Sequence, residues 1–585
     1  MTTRRELFKF AGGSAMGLLL TPAPWRLITD TALWSENWPG IPRPAGGEIR
    51  TRFTHCALCP AGCAVRARCV GEQPVALAGV DGGLCPFGVA GHHLPYHPER
   101  LRQGDRQQAA SALAAAIAAS TPDRGVAVLD LQPGRTASWT YRRAVAAIKS
   151  GVYLAPEEPA CAVNLAAART VLSLGAPLLD GWGRPNLVFR ARPDFRLIQA
   201  EAIESRTAAL ADEWLPVAPG SETALGRAVA GEIGAHEAAG ITGLAEEQIS
   251  QTARALRENG LALIVAPEMT SEVLRWNLAL SGWGKTVLPR REAPVPKTWI
   301  KAAPVIPLAA MRDGSLGALV IDESVPGAHL PWAEIERKLA PGAVVVVFTW
   351  SRAGYARHAT CALPTAVYPE AEGDLPQAID APEAGFRLTV PLIPPPPGMT
   401  DPAQFVGALA GLDIKDALRE RAGAIHASGR GSLRTYADGK SQAVKDVKLD
   451  DFWKALNAGG AWTSGTEDSG KPPKPASITA PAINTDTLWP LRLAVDSPAA
   501  AVLVSPLMAK LSQESRLRLA PRTAALHPKA GFEDGARAML ETPYGGCAIE
   551  VAVDASVPPG MVLVADRPEI ADLRGADGCA RVVRI

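Results

Sequence analysis

Short apolar runs separated by helix-patterned stretches constrain this chain more than any other feature. Val126–Leu131, Thr170–Leu174, Phe195–Ala200, Leu261–Ala266, Ala318–Ile321 and Ala343–Phe348 are runs of this kind. Ala109–Ala118 and Glu222–Ile233 are two of the helical stretches between them. Such alternation predicts parallel sheets covered by helices, with ligands at the carboxyl ends of the strands. The carboxyl-terminal part changes character. Val502–Ser505, Ala538–Glu541, Ala548–Val553 and Val562–Ala565 read as turn-separated β runs.

At 585 residues the chain is too long for one hydrophobic core and should form several subdomains. With 47% hydrophobic and 20% charged residues it is globular in composition. A net charge of +1, with no basic stripe interleaved with aromatics, excludes an electrostatic nucleic-acid binder. Ile393–Gly398, with its four prolines, reads as a stiff linker, and Ser464–Ala480 as a polar loop.

Thr3-Arg4-Arg5-Glu6-Leu7-Phe8-Lys9 precedes the short, Gly- and Ala-rich Ala11–Leu20. Paired arginines ahead of such a segment fit a twin-arginine export signal, the route taken by already folded proteins. No clean small-x-small cleavage site precedes Pro22-Ala23-Pro24, so the peptide could remain as an anchor. No stretch after residue 30 is long and apolar enough to span a bilayer. The expected location is the periplasmic side of the inner membrane.

Four of the nine cysteines fall close together. Cys56, Cys59 and Cys63 follow a C-x2-C-x3-C pattern, and a lone fourth stands in Leu84-Cys85-Pro86. Three closely spaced thiolates can wrap most of a cubane cluster, while the fourth comes from a distant loop. Pro60-Ala61-Gly62 supplies a turn whose amides can face the sulfurs. A four-sulfur zinc site and disulfides compete with this reading. Cys69, Cys161, Cys361, Cys547 and Cys579 are scattered, as buried apolar cysteines usually are. His55 reads as a local hydrogen-bonding residue, and His92-His93 as part of a turn.

The Cys56–Gly62 turn, Ala64–Cys69, Pro74–Leu77, Leu84–Gly88 and Pro98–Leu101 together resemble the iron–sulfur domain of the molybdopterin oxidoreductase superfamily. That family includes dimethyl sulfoxide reductase, formate dehydrogenase and polysulfide reductase. The resemblance continues through Arg196–Gln199, Thr207-Ala208 and Ala211–Gly220. It recurs in Asp313–Val320, Val344–Phe348 and Thr360–Pro364, then in Pro506-Leu507, Glu533–Gly535, Thr542–Glu550 and Val557–Val562. It implies an α/β fold of several subdomains. Residues 1–30 would be the signal or anchor and 48–103 a 4Fe-4S domain. Interleaved α/β subdomains would occupy 104–480, and a β-barrel like those that bind molybdopterin dinucleotides would occupy 481–585. It also implies one 4Fe-4S cluster held by Cys56, Cys59, Cys63 and Cys85.

Three departures bear on mechanism. Phe87 stands where family members commonly carry a Lys or Arg two residues after the fourth cysteine. Glu201 keeps the acid of the loop that contacts a pterin nucleotide, but Ala202 and Ile203 replace its Pro and Arg. Cys161 is the only plausible thiolate for molybdenum, and an ordinary buried cysteine at a helix start is the competing reading. These changes resemble the molybdopterin-like subunits of alternative complex III and of menaquinone reductases. That resemblance implies a subunit of a quinone-linked electron-transfer complex with a degenerate molybdenum site. Its implied partners are a ferredoxin-like iron–sulfur subunit, an integral membrane quinone-handling subunit and a multihaem cytochrome c. The alternative is a molybdenum or tungsten bis-pterin (molybdopterin guanine dinucleotide) enzyme acting on a sulfur or oxyanion substrate. A further alternative is a scaffold that carries zinc or no metal.

Overall fold

A computed structural model describes residues 47–97, 100–258, 260–325, 327, 330–352, 354–465, 468–474, 488–496, 523–565, 570, 572–573 and 578–585. The twin-arginine segment, Ala11–Leu20, Pro22-Ala23-Pro24, Pro98-Glu99, part of Ser464–Ala480, Val502–Ser505 and Pro506-Leu507 lie outside the described residues. The chain divides into two units, residues 1–50 with 69–73, and residues 51–68 with 74–585. In the first, the Gly71 amide donates to the Glu48 carbonyl at 2.9 Å, and exposed Arg50 pairs with Glu48. No helix among the described residues is long and apolar enough to cross a membrane.

Two parallel sheets carry the second unit. The larger has the strand order Val305–Ile306, Gly151–Leu154, Gly125–Asp130, Leu316–Glu323, Leu339–Thr349, Cys361–Pro364, parallel throughout. The smaller runs Ala262–Val265, Thr170–Leu174, Arg196–Ala200, Glu213–Leu215, again parallel. The chain enters the larger sheet, leaves to build the smaller one, and returns. Every residue of Gly125–Asp130 and of Thr170–Leu174 is buried. Unbroken burial on both faces is why these runs are apolar throughout rather than alternating.

The expected helices form with shifted ends. Arg106–Ala118 starts where the Asp105 carboxylate caps the Gln108 amide. Glu222–Ala230 stops short of Ile233 because Gly231 adopts a left-handed conformation, φ 86°, and closes the last turn. The proline run is anchored at its start, where the Leu392 and Ile393 amides donate to the Pro369 carbonyl at 2.8 and 3.1 Å, and Pro394, Pro395 and Pro397 are exposed.

The cysteine-bearing segment is a small sheet of Ile49–His55, Ala64–Val70 and Gln73–Gly79. An antiparallel sheet containing Gly373–Asp374 and Gly385–Thr389 follows later in the chain. The carboxyl-terminal residues close a barrel of six strands: Leu491–Asp496, Met561–Ala565, Thr523–Leu526, Gly545–Val553, Arg537–Thr542 and Cys579–Arg584. Its interior packs Ala524, Leu526, Leu540, Val551 and Val562. Parallel α/β sheets and a terminal β-barrel are the architecture expected from the sequence.

Candidate metal centre

Two strand ends build the cysteine turn. Ile49–His55 leads into Cys56, and Ala64–Val70 carries the chain away after Cys63. The Cys56 amide donates to the Cys63 carbonyl at 2.9 Å, and the Gly62 amide to the Cys59 carbonyl at 3.3 Å. Gly62 has φ 56°, where a side chain would be strained. A Cβ there would also fall 2.4 Å from Arg387 Nε. Cys85 directly precedes the short helix Pro86–Ala90, and Pro86 fills a first-turn position that needs no amide donor.

None of the four thiols is in a disulfide; Cys56 and Cys63 are buried, Cys59 and Cys85 half-buried. Burial, then the nearness of Cys59, Cys85 and Cys63, pushes the Cys56 thiol well up. Burial and Cys85 push Cys59 up to about 12. Cys63 rises through burial and through Cys59 and Cys85, and Cys85 rises through burial. Backbone amides oppose this: Leu58 at Cys56, Ala61 and Gly62 at Cys59, Gly88 and Phe87 at Cys85. Cys56, Cys59 and Cys63 each feel the Cys85 charge, and three of the four sulfurs meet amide donors that favour thiolate, so a bound metal would reverse their protonation. Among the described residues, no three His, Cys, Asp or Glu side chains are already close enough to hold one metal ion.

Other side chains converge on the turn. The Arg184 guanidinium pairs with Asp380 at 3.1 Å, and the Asp380 charge acts on Cys59 and Cys63. The Tyr368 hydroxyl is buried, has no hydrogen-bond partner among the described residues and feels Cys56, Cys63 and Cys85. Burial, then Arg387, holds His55 down to about 3, so it is neutral and its Nδ1–H donates to the Leu388 carbonyl at 2.9 Å. The expected local hydrogen bond of His55 is thus a long-range one.

Beside the turn lies a cavity of about 380 Å³, bordered by Ala57 and Leu58 of the cysteine segment. It lies at the carboxyl ends of the larger sheet, where Asp322, Trp350 and Thr365 line it. Arg135 Nη2 bridges Asp130 and Asp322 at 2.9 Å each, Tyr141 donates to Asp322 at 2.8 Å, and Arg421 pairs with Asp374 at 2.8 Å. Five carboxylates, on Asp322, Glu370, Glu372, Asp374 and Asp401, line the cavity against the cations Arg135 and Lys415.

Cys161 and Glu201 stand apart from this group. Cys161 lies in the apolar core of the smaller sheet with Val163, Leu165 and Val171, and burial pushes its thiol up to about 12. No helix starts there; the strand Ala162–Val163 follows, paired with Val287–Leu288. The Glu201 carboxylate is engaged within its own loop, accepting from Gln199 Nε2 at 2.9 Å and from the Ser205 amide at 3.0 Å. Ala202 and Ile203 pack against Val557, Met561 and Leu563 of the barrel. Arg387, Tyr368 and Asp380 are the participants that sequence reading misses. Arg387 alone leaves a trace, as the only charge in Gly385–Thr389.

No protein-family model matches the chain. It is 28% identical over 263 residues to the menaquinone reductase molybdopterin-binding-like subunit of Nitratidesulfovibrio vulgaris. That match covers 38% of this chain and spans only 38% of the relative's length. The structure resembles acetylene hydratase from Pelobacter acetylenicus, with a TM-score of 0.65 at 14% identity, covering 91% of this chain and 100% of that one. The chain thus shares the fold of acetylene hydratase, and over part of its length its sequence is similar to a molybdopterin-binding-like subunit.

Proposed function

We propose that this chain is an iron–sulfur electron-transfer subunit of an exported, membrane-associated, quinone-linked complex. The observation that carries the reading is the gathering of Cys56, Cys59, Cys63 and Cys85, with amides facing three of the sulfurs. The donor set fits a cluster: a cubane spreads its ligands around a core, so the four thiols need not converge on a single point. A 4Fe-4S cluster held there would accept and donate one electron at a time. The chain's own contribution is to exclude water from the sulfurs, donate amides to them and fix their spacing through the Cys56–Cys63 and Cys59–Gly62 bonds.

A molybdenum bis-pterin guanine dinucleotide fits the residues poorly. Its pyrophosphates need cations or helix N-termini. Here the cations at the cavity beside the cysteines are already taken up by its acids, Arg135 by Asp322, Arg421 by Asp374 and Lys415 by Glu372, and the Ala202-Ile203 loop is closed against the barrel by apolar packing. Cys161 lies in an apolar core, away from the cavity lining. We therefore read the molybdenum site as degenerate.

The name of the matched menaquinone reductase subunit supports a quinone-linked assembly. A ferredoxin-like iron–sulfur subunit, an integral membrane quinone-handling subunit and a multihaem cytochrome c are the partners this reading calls for. The paired Arg4 and Arg5 support export by the twin-arginine route to the periplasmic side of the inner membrane. Metal analysis of the purified full-length chain tests the reading. Iron with molybdenum and tungsten far below one per chain is expected; about one molybdenum or tungsten per chain would overturn it in favour of a catalytic enzyme.

A further inference from the structure

Arg387 is a buried cation with no anion assigned to it. It projects from Gly385–Thr389 and is 8% exposed. Its Nη2 donates to the carbonyls of Pro60 and Ala61, both at 3.3 Å, and of Pro376 at 3.2 Å. Its Nε has no hydrogen-bond partner among the described residues. Among the described residues no carboxylate lies within ion-pair distance of it, and the nearby Asp380 is already paired with Arg184. Burying a charge without a partner is strongly unfavourable, so such a group persists where something anionic sits beside it. The guanidinium lies against the Pro60-Ala61-Gly62 turn, between Cys59 and Cys63. That turn requires glycine at position 62 because Arg387 occupies the space of a Cβ.

The geometry points to Arg387 as the counter-charge of the cysteine centre, supplying from a distant strand the cation that Phe87 does not provide two residues after Cys85. The inference rests on the cluster reading above and extends it. Burial, then the neighbouring Arg184 charge, holds the guanidinium down to about 10; Asp380 most, then Tyr436 and Cys63, favour its charge. A positive charge at this position stabilises the reduced, more negative state over the oxidised one. Arg387 is thus a positioning and charge-setting residue, acting on the centre through the turn it grips.

Redox titration of the full-length chain, followed by electron paramagnetic resonance with iron counted in parallel, tests this. Arg387→Gln should make the centre about tenfold harder to reduce, about 59 mV for a one-electron couple. Arg387→Lys should retain most of the parental potential. Phe87→Arg placed on the Arg387→Gln background should recover part of the loss. If Arg387→Gln fails to take up iron while Arg387→Lys and the double variant do, a charge requirement in assembly is shown and the inference holds. Unchanged potential and iron content in Arg387→Gln would overturn it, as would loss of iron in all three variants, which would mark a purely structural role. A parental chain without iron would instead sink the cluster reading itself, and this inference with it.

Discussion

Arg100 and Glu370 meet in the interior across 270 positions of sequence, with Arg100 Nη1 2.7 Å from Glu370 Oε1 and a second bond between Nη2 and Oε2. Both side chains are 1% exposed. Glu370 also accepts from the Val367 amide, so the pair fixes the end of the cysteine-bearing segment against the loop that carries Tyr368. Glu370→Gln leaves a buried guanidinium with its charge uncompensated. The variant should lose about 3–5 kcal/mol of stability. Denaturant midpoints compared at constant slope check this, and a loss below about 1 kcal/mol would mean that the pair behaves like an exposed one.

Glu323 gives the chain a pH dependence of definite sign. Burial, with Asp572 and Asp322 adding repulsion, pushes its carboxyl up to about 8 against hydrogen bonds from Thr349 and the Tyr355 amide. The folded chain keeps this proton where the unfolded chain, with an ordinary carboxyl near 4.3, has released it. The folded state therefore binds more protons between those values, and this contribution to stability falls as pH rises through that window. The slope is at most about 1.4 kcal/mol per pH unit. Glu323→Gln should remove that slope and melt at a higher temperature than the parent at pH 8. Parallel melting curves for the two proteins from pH 5 to 8 would contradict the assignment.

The loop after Arg196–Ala200 offers a test of the proposed lack of a dinucleotide. Ile203→Arg restores a cation that the family carries there, but pushes it into the apolar contact of Ala202 with Val557, Met561 and Leu563. A destabilisation of about 1–3 kcal/mol is expected, with no gain of molybdenum. A variant as stable as its parent that acquires the metal would show the site to be merely unloaded.

Cys161→Ala should cost about 1–2 kcal/mol by leaving a small void in a packed core and should leave redox behaviour unchanged. Calorimetry and a redox titration on one preparation separate the two effects. Abolished redox activity with an unaltered melting temperature would restore Cys161 as a metal ligand.

The sheets were legible because both faces of Gly125–Asp130 and Thr170–Leu174 are buried, which forces an apolar run that no alternating pattern can imitate. The cysteine spacing was legible because three of the four thiols share one tight turn. Helix ends were less so: Glu222–Ile233 reads as continuous until Gly231 turns left-handed. Cys161 reads as a buried cysteine at a helix start, whereas pairing of Ala162–Val163 with Val287–Leu288 holds the segment extended. What surrounds the cysteines was hidden. Arg387, Tyr368 and Asp380 act on the turn and its thiols from hundreds of residues away in sequence, and no local pattern encodes proximity of that kind.

On the proposed reading, Cys56, Cys59, Cys63 and Cys85 together hold an iron–sulfur cluster. Spectroscopy of the anaerobically purified chain beside its Cys59→Ala variant tests it most directly. The account predicts about four irons per parental chain, a broad visible absorption bleached by dithionite, and loss of both in the variant. Zinc in place of iron, cystines among these four residues, or a Cys59→Ala variant with its full iron content would contradict it.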